Sequence, residues 1–221
     1  MIKIKNVKIY GLEESIKRSG YPMQCGEPDD FGFFGVLPTA KPTEEQESVW
    51  QDNIILSDKD WNRAEKLSSV RTGTGHDNFL KGIVVQFDLK YPLYFTKQLQ
   101  RYHFIDFVSS QSTMHSVTKR GSIAPFCNKY VEHHIIELVN LFIQSYNNAK
   151  LKEDKYFWFM KIVSNLPSGF ELWAGMTTNY LQLKTIYQQR KKHKLKEDWG
   201  EFCEWIETLP YFRDWVIKEK K

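Results

Sequence analysis

Ile2, Ile4, Val7 and Ile9 are set between Lys and Asn residues, an alternation that predicts a strand over residues 1–10 with one buried face. Gly11 is expected to end it. Residues 20–48 carry Gly20, Pro22, Gly26, Pro28, Gly32, Gly35, Pro38 and Pro42 around Phe31, Phe33 and Phe34, and so predict an irregular segment, either a lid or binding loop or a disordered stretch. Ser57 or Asp58 can cap a helix over 59–70 that Arg71-Thr72-Gly73-Thr74-Gly75 stops. Ile83 to Leu89 alternates in the β-branched and aromatic manner of a second strand. Pro92 suits the first turn of a helix over 93–104, on which Tyr94, Gln98 and Arg101 share a face. Ser109 to Thr113 reads as a polar loop. Residues 129–147 predict an amphipathic helix with Ile135, Leu138, Val139 and Phe142 inward, followed by a linker over 147–154. Helical patterns return over 155–165, 178–192 and 197–208. The sum predicts a single α+β domain over 1–221, a β-sheet flanked by helices that dominate the second half.

The helical pattern at 178–192 is unusual because polar, ligand-capable residues stand where a core helix would carry aliphatics. Asn179, Leu183, Ile186 and Arg190 fall on one stripe of that helix. Its ends are about 16 Å apart, the reach of an elongated nucleotide or dinucleotide. The stripe reads as a binding wall, or as an amphipathic helix with its Asn and Arg at the edge of the apolar face.

Composition narrows the picture. A hydrophobic fraction of 41% and a charged fraction of 26% are those of a soluble globular domain. The net charge of +4 is mild, and it suits an anionic small ligand as well as a nucleic acid. The basic run Arg190 to Lys194 reads as a solvated helix end rather than a nucleic-acid surface. Aromatic residues make up 15% of the chain and gather at Tyr156-Phe157-Trp158-Phe159 and from Trp199 to Trp215, as core or subunit interface. Cys25, Cys127 and Cys203 are odd in number and lack a CxxC pair or nearby His at metal spacing, which argues for a reducing, cytoplasmic setting and against a disulfide scaffold or metal site. His133 and His134 point to different helix faces and do not chelate one metal. No apolar run is long enough to span a membrane.

Several segments in fixed order then carry a resemblance. Gly75-His76-Asp77-Asn78-Phe79-Leu80-Lys81-Gly82 precedes the strand at Ile83; Gln98-Leu99-Gln100-Arg101-Tyr102-His103 follows on a helix; Ser109-Ser110-Gln111-Ser112-Thr113-Met114-His115 is next. Leu166-Pro167 lies upstream of Thr177-Thr178-Asn179-Tyr180-Leu181-Gln182-Leu183, which leads on to Arg190. Order and spacing resemble the flavin-dependent thymidylate synthases, with their GH-x-T-P-F-E-H, Q-x-x-R-H-R, N-E-x-S-x-R-Y and T-x-N-A-R-S-L segments, from about Gly75 to Trp205.

The resemblance implies FAD as cofactor, NADPH and methylene-tetrahydrofolate as co-substrates, deoxyuridine monophosphate or a related pyrimidine nucleotide as substrate, and a homotetramer or dimer with sites between subunits. By carry-over, Gln98, Arg101 and Ser112 would contact nucleotide, and His76, Arg101, His103 and Asn179 would contact the flavin cofactor. Arg190 would pair with the pyrimidine and raise its electrophilicity, the one catalytic role. The chain departs from the family where Tyr102 and His103 follow Arg101, where Ser110 and Met114 replace Glu and Arg, and where Leu181 replaces Arg. Each lost charge-assisted hydrogen bond is worth about 1.5–3 kcal/mol. Lys119, Arg120 or Lys161 could replace them. His76 can equally be a turn residue, and His103 and His115 can be structural or stand in for the family's Arg and Tyr. Three classes follow: a flavin-dependent methyltransferase of nucleotide biosynthesis, a catalytically silent descendant that binds a nucleotide in a sequestering or regulatory role, or a partner-binding protein whose interface is the aromatic tail.

Overall fold

The computed structural model describes residues 2–25 and 56–217. The part of the expected lid over 26–48 lies outside them. The chain divides into two compact units, one of Met1–Lys8, Gln86–Thr178 and His193–Phe202, the other of Ile9–Val85, Asn179–Lys192 and Cys203–Lys221.

A four-stranded sheet of order β1-β2-β4-β3 is formed by β1 (Lys3–Tyr10), β2 (Val84–Pro92), β3 (Ile105–Ser110) and β4 (Glu171–Asn179). The apolar positions of β1 change parity between Ile4 and Val7, and the backbone changes with them: Asn6 has φ 51. Its side chain donates to the Asp88 carboxylate at 2.5 Å. The single buried face expected of this strand is therefore interrupted, and Val7 is exposed. β2 follows its sequence more closely, with Phe87, Leu89 and Tyr91 buried on alternate positions.

β4 is a strand where helical pattern was expected from residue 178. Leu172, Ala174, Met176 and Thr178 are buried at period two, a signal that Gly175 and the polar Thr-Thr-Asn run obscured. It pairs antiparallel with β3, Ile105 opposite Thr178 and Phe107 opposite Met176, and the register shifts between Phe107 and Ser109. Val108, at that shift, is exposed. Ser109 and Ser110 thus belong to β3 rather than to a loop, and only Gln111 and Ser112 connect it to the short helix Thr113–Ser116.

In the first unit, α3 (Leu93–Leu99) begins after Pro92 as expected but is shorter, because Ile105 has to enter the sheet. The pair α4 (His133–Asn148) and α5 (Lys152–Asn165) form a hairpin, with Phe142 and Trp158 ring centres 5.9 Å apart. Only Ala149-Lys150-Leu151 joins them, not the longer linker expected. Val139, Ile143 and Ile162 face inward, whereas Leu138, expected inward, is exposed together with Leu141, Tyr156, Phe157 and Met160. That hairpin leaves an apolar face in water.

In the second unit, Gly11 at φ 70 ends β1 and starts α1 (Leu12–Arg18). A Cβ at Gly11 would lie 2.6 Å from the Gly82 carbonyl oxygen, so glycine is required twice over. Helix α2 (Asp58–Ser68) carries the expected cap at Ser57, whose hydroxyl accepts from the Asp60 N–H while Asp60 reaches back. Helices α6 (Tyr180–Arg190) and α7 (Glu201–Thr208) complete the elements used below. Of the aromatic tail, Trp199, Phe202, Phe212 and Trp215 are buried within the chain, so these rings are core. Among the described residues no helix is long and apolar enough to cross a membrane.

Candidate functional site

The Asn179 to Arg190 stripe divides into three environments. Asn179 closes β4 and its side-chain oxygen accepts from the Gln182 N–H at 2.9 Å, a helix cap that leaves only its amide N–H groups for a ligand. Leu183 and Ile186 are fully buried, so the middle of the expected binding wall is core. Arg190 stands half-buried in the last turn.

Next to that helix, in the same unit, runs the turn that carries His76. Gly73 and Gly75 both take positive φ there, and His76 is exposed. The join is a buried cation that the sequence reading overlooked. Lys184 donates to the Ser68 carbonyl at 2.8 Å, the Val70 carbonyl at 2.6 Å and the Asp77 carboxylate at 2.7 Å, with only 1% of either charged side chain exposed. Three acceptors match the three donors of an ammonium, so none of its N–H groups is left unpaired. The Thr72 hydroxyl adds a 3.2 Å bond to Gln188. The Gly75-His76 turn and the Asn179–Arg190 segment are thus brought together.

In the other unit Tyr94 and Gln98 share one face of α3, as their i, i+4 spacing predicted. Both are met by consecutive residues of the Lys196–Gly200 π-turn. The Trp199 indole N–H donates to Gln98 Oε1 at 2.7 Å, and the Tyr94 hydroxyl donates to Asp198 Oδ2 at 2.7 Å. The carbonyl of Gln98, expected at a nucleotide, is committed to the fold. Arg101 lies beyond the helix end, and it and His103 are exposed on either side of the buried Tyr102. Ser112 caps the short helix, its hydroxyl accepting from the His115 N–H at 3.2 Å. Arg120, a possible replacement cation, lies over the Phe126 ring at 3.6 Å, and burial pushes its pKa down.

The same unit holds a cavity of about 580 Å³ lined by Tyr94, Asp198, Ile135, Pro167 and Gly169 among others. None of the site residues expected from the sequence lines it. Asp198 is 3% exposed and its Oδ1 has no hydrogen-bond partner. Leaving such an oxygen buried and unpaired costs about 1–3 kcal/mol. Tyr94 responds: burial first, then donation to Asp198, pushes its phenol well above the usual range. On the rim, Glu197 accepts from the Tyr130 hydroxyl at 2.5 Å and the Lys129 ammonium at 3.0 Å, which hold its carboxyl below the usual range. Asp198 had no local signal beyond standing next to a Trp; a contact with Tyr94 across 104 positions is invisible to any window.

Cys127 and Cys203 are pushed up to about 11 by burial, so neither is a ready thiolate. Among the described residues no cluster of three His, Cys, Asp or Glu side chains could hold a metal ion.

No family model matches the chain, and no curated protein matches it in sequence. The helix-flanked sheet is nonetheless the fold of the flavin-dependent thymidylate synthases. The likeness is to structures of the enzyme ThyX from Helicobacter pylori complexed with FAD and dUMP. One is 12% identical with TM-score 0.56, covering 98% of this chain and 97% of that one. A second is 12% identical with TM-score 0.57, covering 98% and 96%.

Proposed function

We propose that this protein binds FAD and a pyrimidine nucleotide, and that it acts as a flavin-dependent thymidylate synthase-like methyltransferase on deoxyuridine monophosphate or a close relative. The observation that carries the proposal is the fold likeness, over nearly the whole of both chains, to an enzyme held with FAD and dUMP. Arg101 and His103 would hold phosphate, His76 and the free amide of Asn179 would meet the flavin, and Ser112 would serve the nucleotide. FAD, when bound, would pass the hydride of NADPH to a methylene delivered by methylene-tetrahydrofolate. Arg190 would orient the pyrimidine with two parallel N–H donors, which a lysine cannot reproduce. The apolar outer face of the α4–α5 hairpin supports self-association as a dimer or homotetramer.

Titration of the apo-protein with FAD, followed by flavin fluorescence, should saturate in the micromolar range; absence of binding at about a hundred micromolar would sink the flavin reading. With nucleotide, Arg190→Lys should weaken deoxyuridine monophosphate by about 1.5–3 kcal/mol at unchanged melting temperature. Equal affinity would remove Arg190 from the site.

A catalytically silent descendant that binds nucleotide in a regulatory role is the second reading. It is favoured by Gln98, whose carbonyl is held by Trp199. Thymidylate formation from deoxyuridine monophosphate, NADPH and methylene-tetrahydrofolate separates the two.

A further inference from the structure

We propose that Lys184 is a positioning residue for the flavin site: through Asp77 it holds the turn that carries His76 in one arrangement against α6, the helix that Asn179 caps and Arg190 ends. The inference rests on the flavin reading above and adds to it the residue on which its His76 arm depends.

The turn has little of its own to fix it. Gly73 and Gly75 take φ 95 and 83, and Arg71, Thr74 and His76 are exposed around them. Glycine loses more conformational freedom on ordering than any other residue. Order comes from α6. Lys184 takes the Ser68 and Val70 carbonyls before the turn and the Asp77 carboxylate directly after His76, so one ammonium grips both ends. Gln188, one helical turn further along the same face, accepts from the Thr72 hydroxyl at 3.2 Å. At the start of the helix the Tyr180 N–H donates to the Ile83 carbonyl at 3.0 Å.

A buried ion pair is a poor source of net stability, since apolar groups of similar volume serve as well or better. What it adds is direction. A methionine at 184 would pack against many arrangements of the turn, whereas bonds of 2.8, 2.6 and 2.7 Å to three separate residues admit one. His76 itself stays exposed, its backbone held and its imidazole open to a ligand. A ligand that meets an arm already ordered does not have to order it, and binds more tightly for that reason.

FAD titration of the full chain by fluorescence, beside urea unfolding, tests this with two variants in which stability and positioning part. Lys184→Met with Asp77→Leu keeps the core filled and loses the three bonds; it should unfold near wild type yet bind FAD at least about tenfold more weakly. Asp77→Asn keeps an acceptor for the ammonium but leaves its charge uncompensated; it should be the less stable protein and keep FAD affinity within about threefold of wild type. Should the double variant fail to fold, Thr72→Val, which cuts only the outer tie, should weaken FAD by about threefold or more at unchanged melting temperature. Wild-type affinity in the folded double variant, or in Thr72→Val where that is the protein tested, would overturn the proposal, and so would FAD affinity that falls in step with stability across the variants. Failure of the wild type to bind at about a hundred micromolar FAD would instead take down the flavin reading, and this proposal with it.

Discussion

Lys184 in one unit and Asp198 in the other are both buried charges, and the fold treats them differently. Every donor of Lys184 has an acceptor: two backbone carbonyls that end α2 and the carboxylate of Asp77. Asp198 has one partner for one oxygen. A buried ion whose valences are filled is a strut, tying α6 to the turn before β2. A buried ion half filled is held by less. Burial alone, 1% against 3%, does not separate the two; the count of partners does.

The largest expected effect tests the strut. Lys184→Met leaves the Asp77 carboxylate buried and unpaired, and should cost about 3–5 kcal/mol in urea unfolding. Adding Asp77→Leu should recover most of that loss, because two apolar groups of fitting volume replace a pair whose desolvation was already high. A loss under about 1 kcal/mol for the single variant would mean that water reaches the pair, and the contrast with Asp198 would fall.

Asp198 should respond more weakly. Tyr94→Phe strips Asp198 of its one donor and should cost about 1–3 kcal/mol, read by the same unfolding curve. Asp198→Asn should stay within about 1 kcal/mol of wild type, since an acceptor already short of donors gives up little when its charge is removed. Destabilisation by Asp198→Asn as large as that of Lys184→Met would show the carboxylate to be structural after all.

Glu207 offers the smallest effect and a surface version of the same pairing. Its carboxyl accepts from the Tyr187 hydroxyl at 2.6 Å and from Arg213 at 3.0 Å, and its pKa is lowered by the tyrosine bond first and the arginine second. A depressed carboxyl contributes stability above its unfolded pKa of about 4.3, lost as pH falls through the lower folded value. Solvent screening holds the gain to a few tenths of a kcal/mol. Glu207→Gln should therefore lower stability slightly at neutral pH, and the difference should shrink as pH falls below the ordinary glutamate range, measured as melting temperature against pH; a constant difference across that range would refute the linkage.

Local rules were enough for much of the fold. Ser57 and Asp60 form a capping box three residues apart, β2 buries alternate residues, and Gly11 turns where a Cβ would strike Gly82. Tyr94 and Gln98 were legible as a shared face because helical spacing alone sets it. The β4–α6 boundary was not, since Thr177-Thr178-Asn179 suits a helix start as well as a strand end, and pairing with β3 decides between them. The aromatic tail read as core or subunit interface, because whether a ring is covered by its own chain or by another is not written in its neighbours. Partner count is likewise beyond a sequence: Lys184 meets Asp77 over 107 positions, and Trp199 takes the Gln98 carbonyl over 101. Sequence by itself determined most helices, two of the four strands and the family likeness, because these rest on spacing within a window or on order along the chain. Tertiary structure alone decided which polar groups are spent on the fold and which, like Asp198 Oδ1, are left without a partner, because hydrogen bonds are saturated by whatever the fold brings within 3 Å or so.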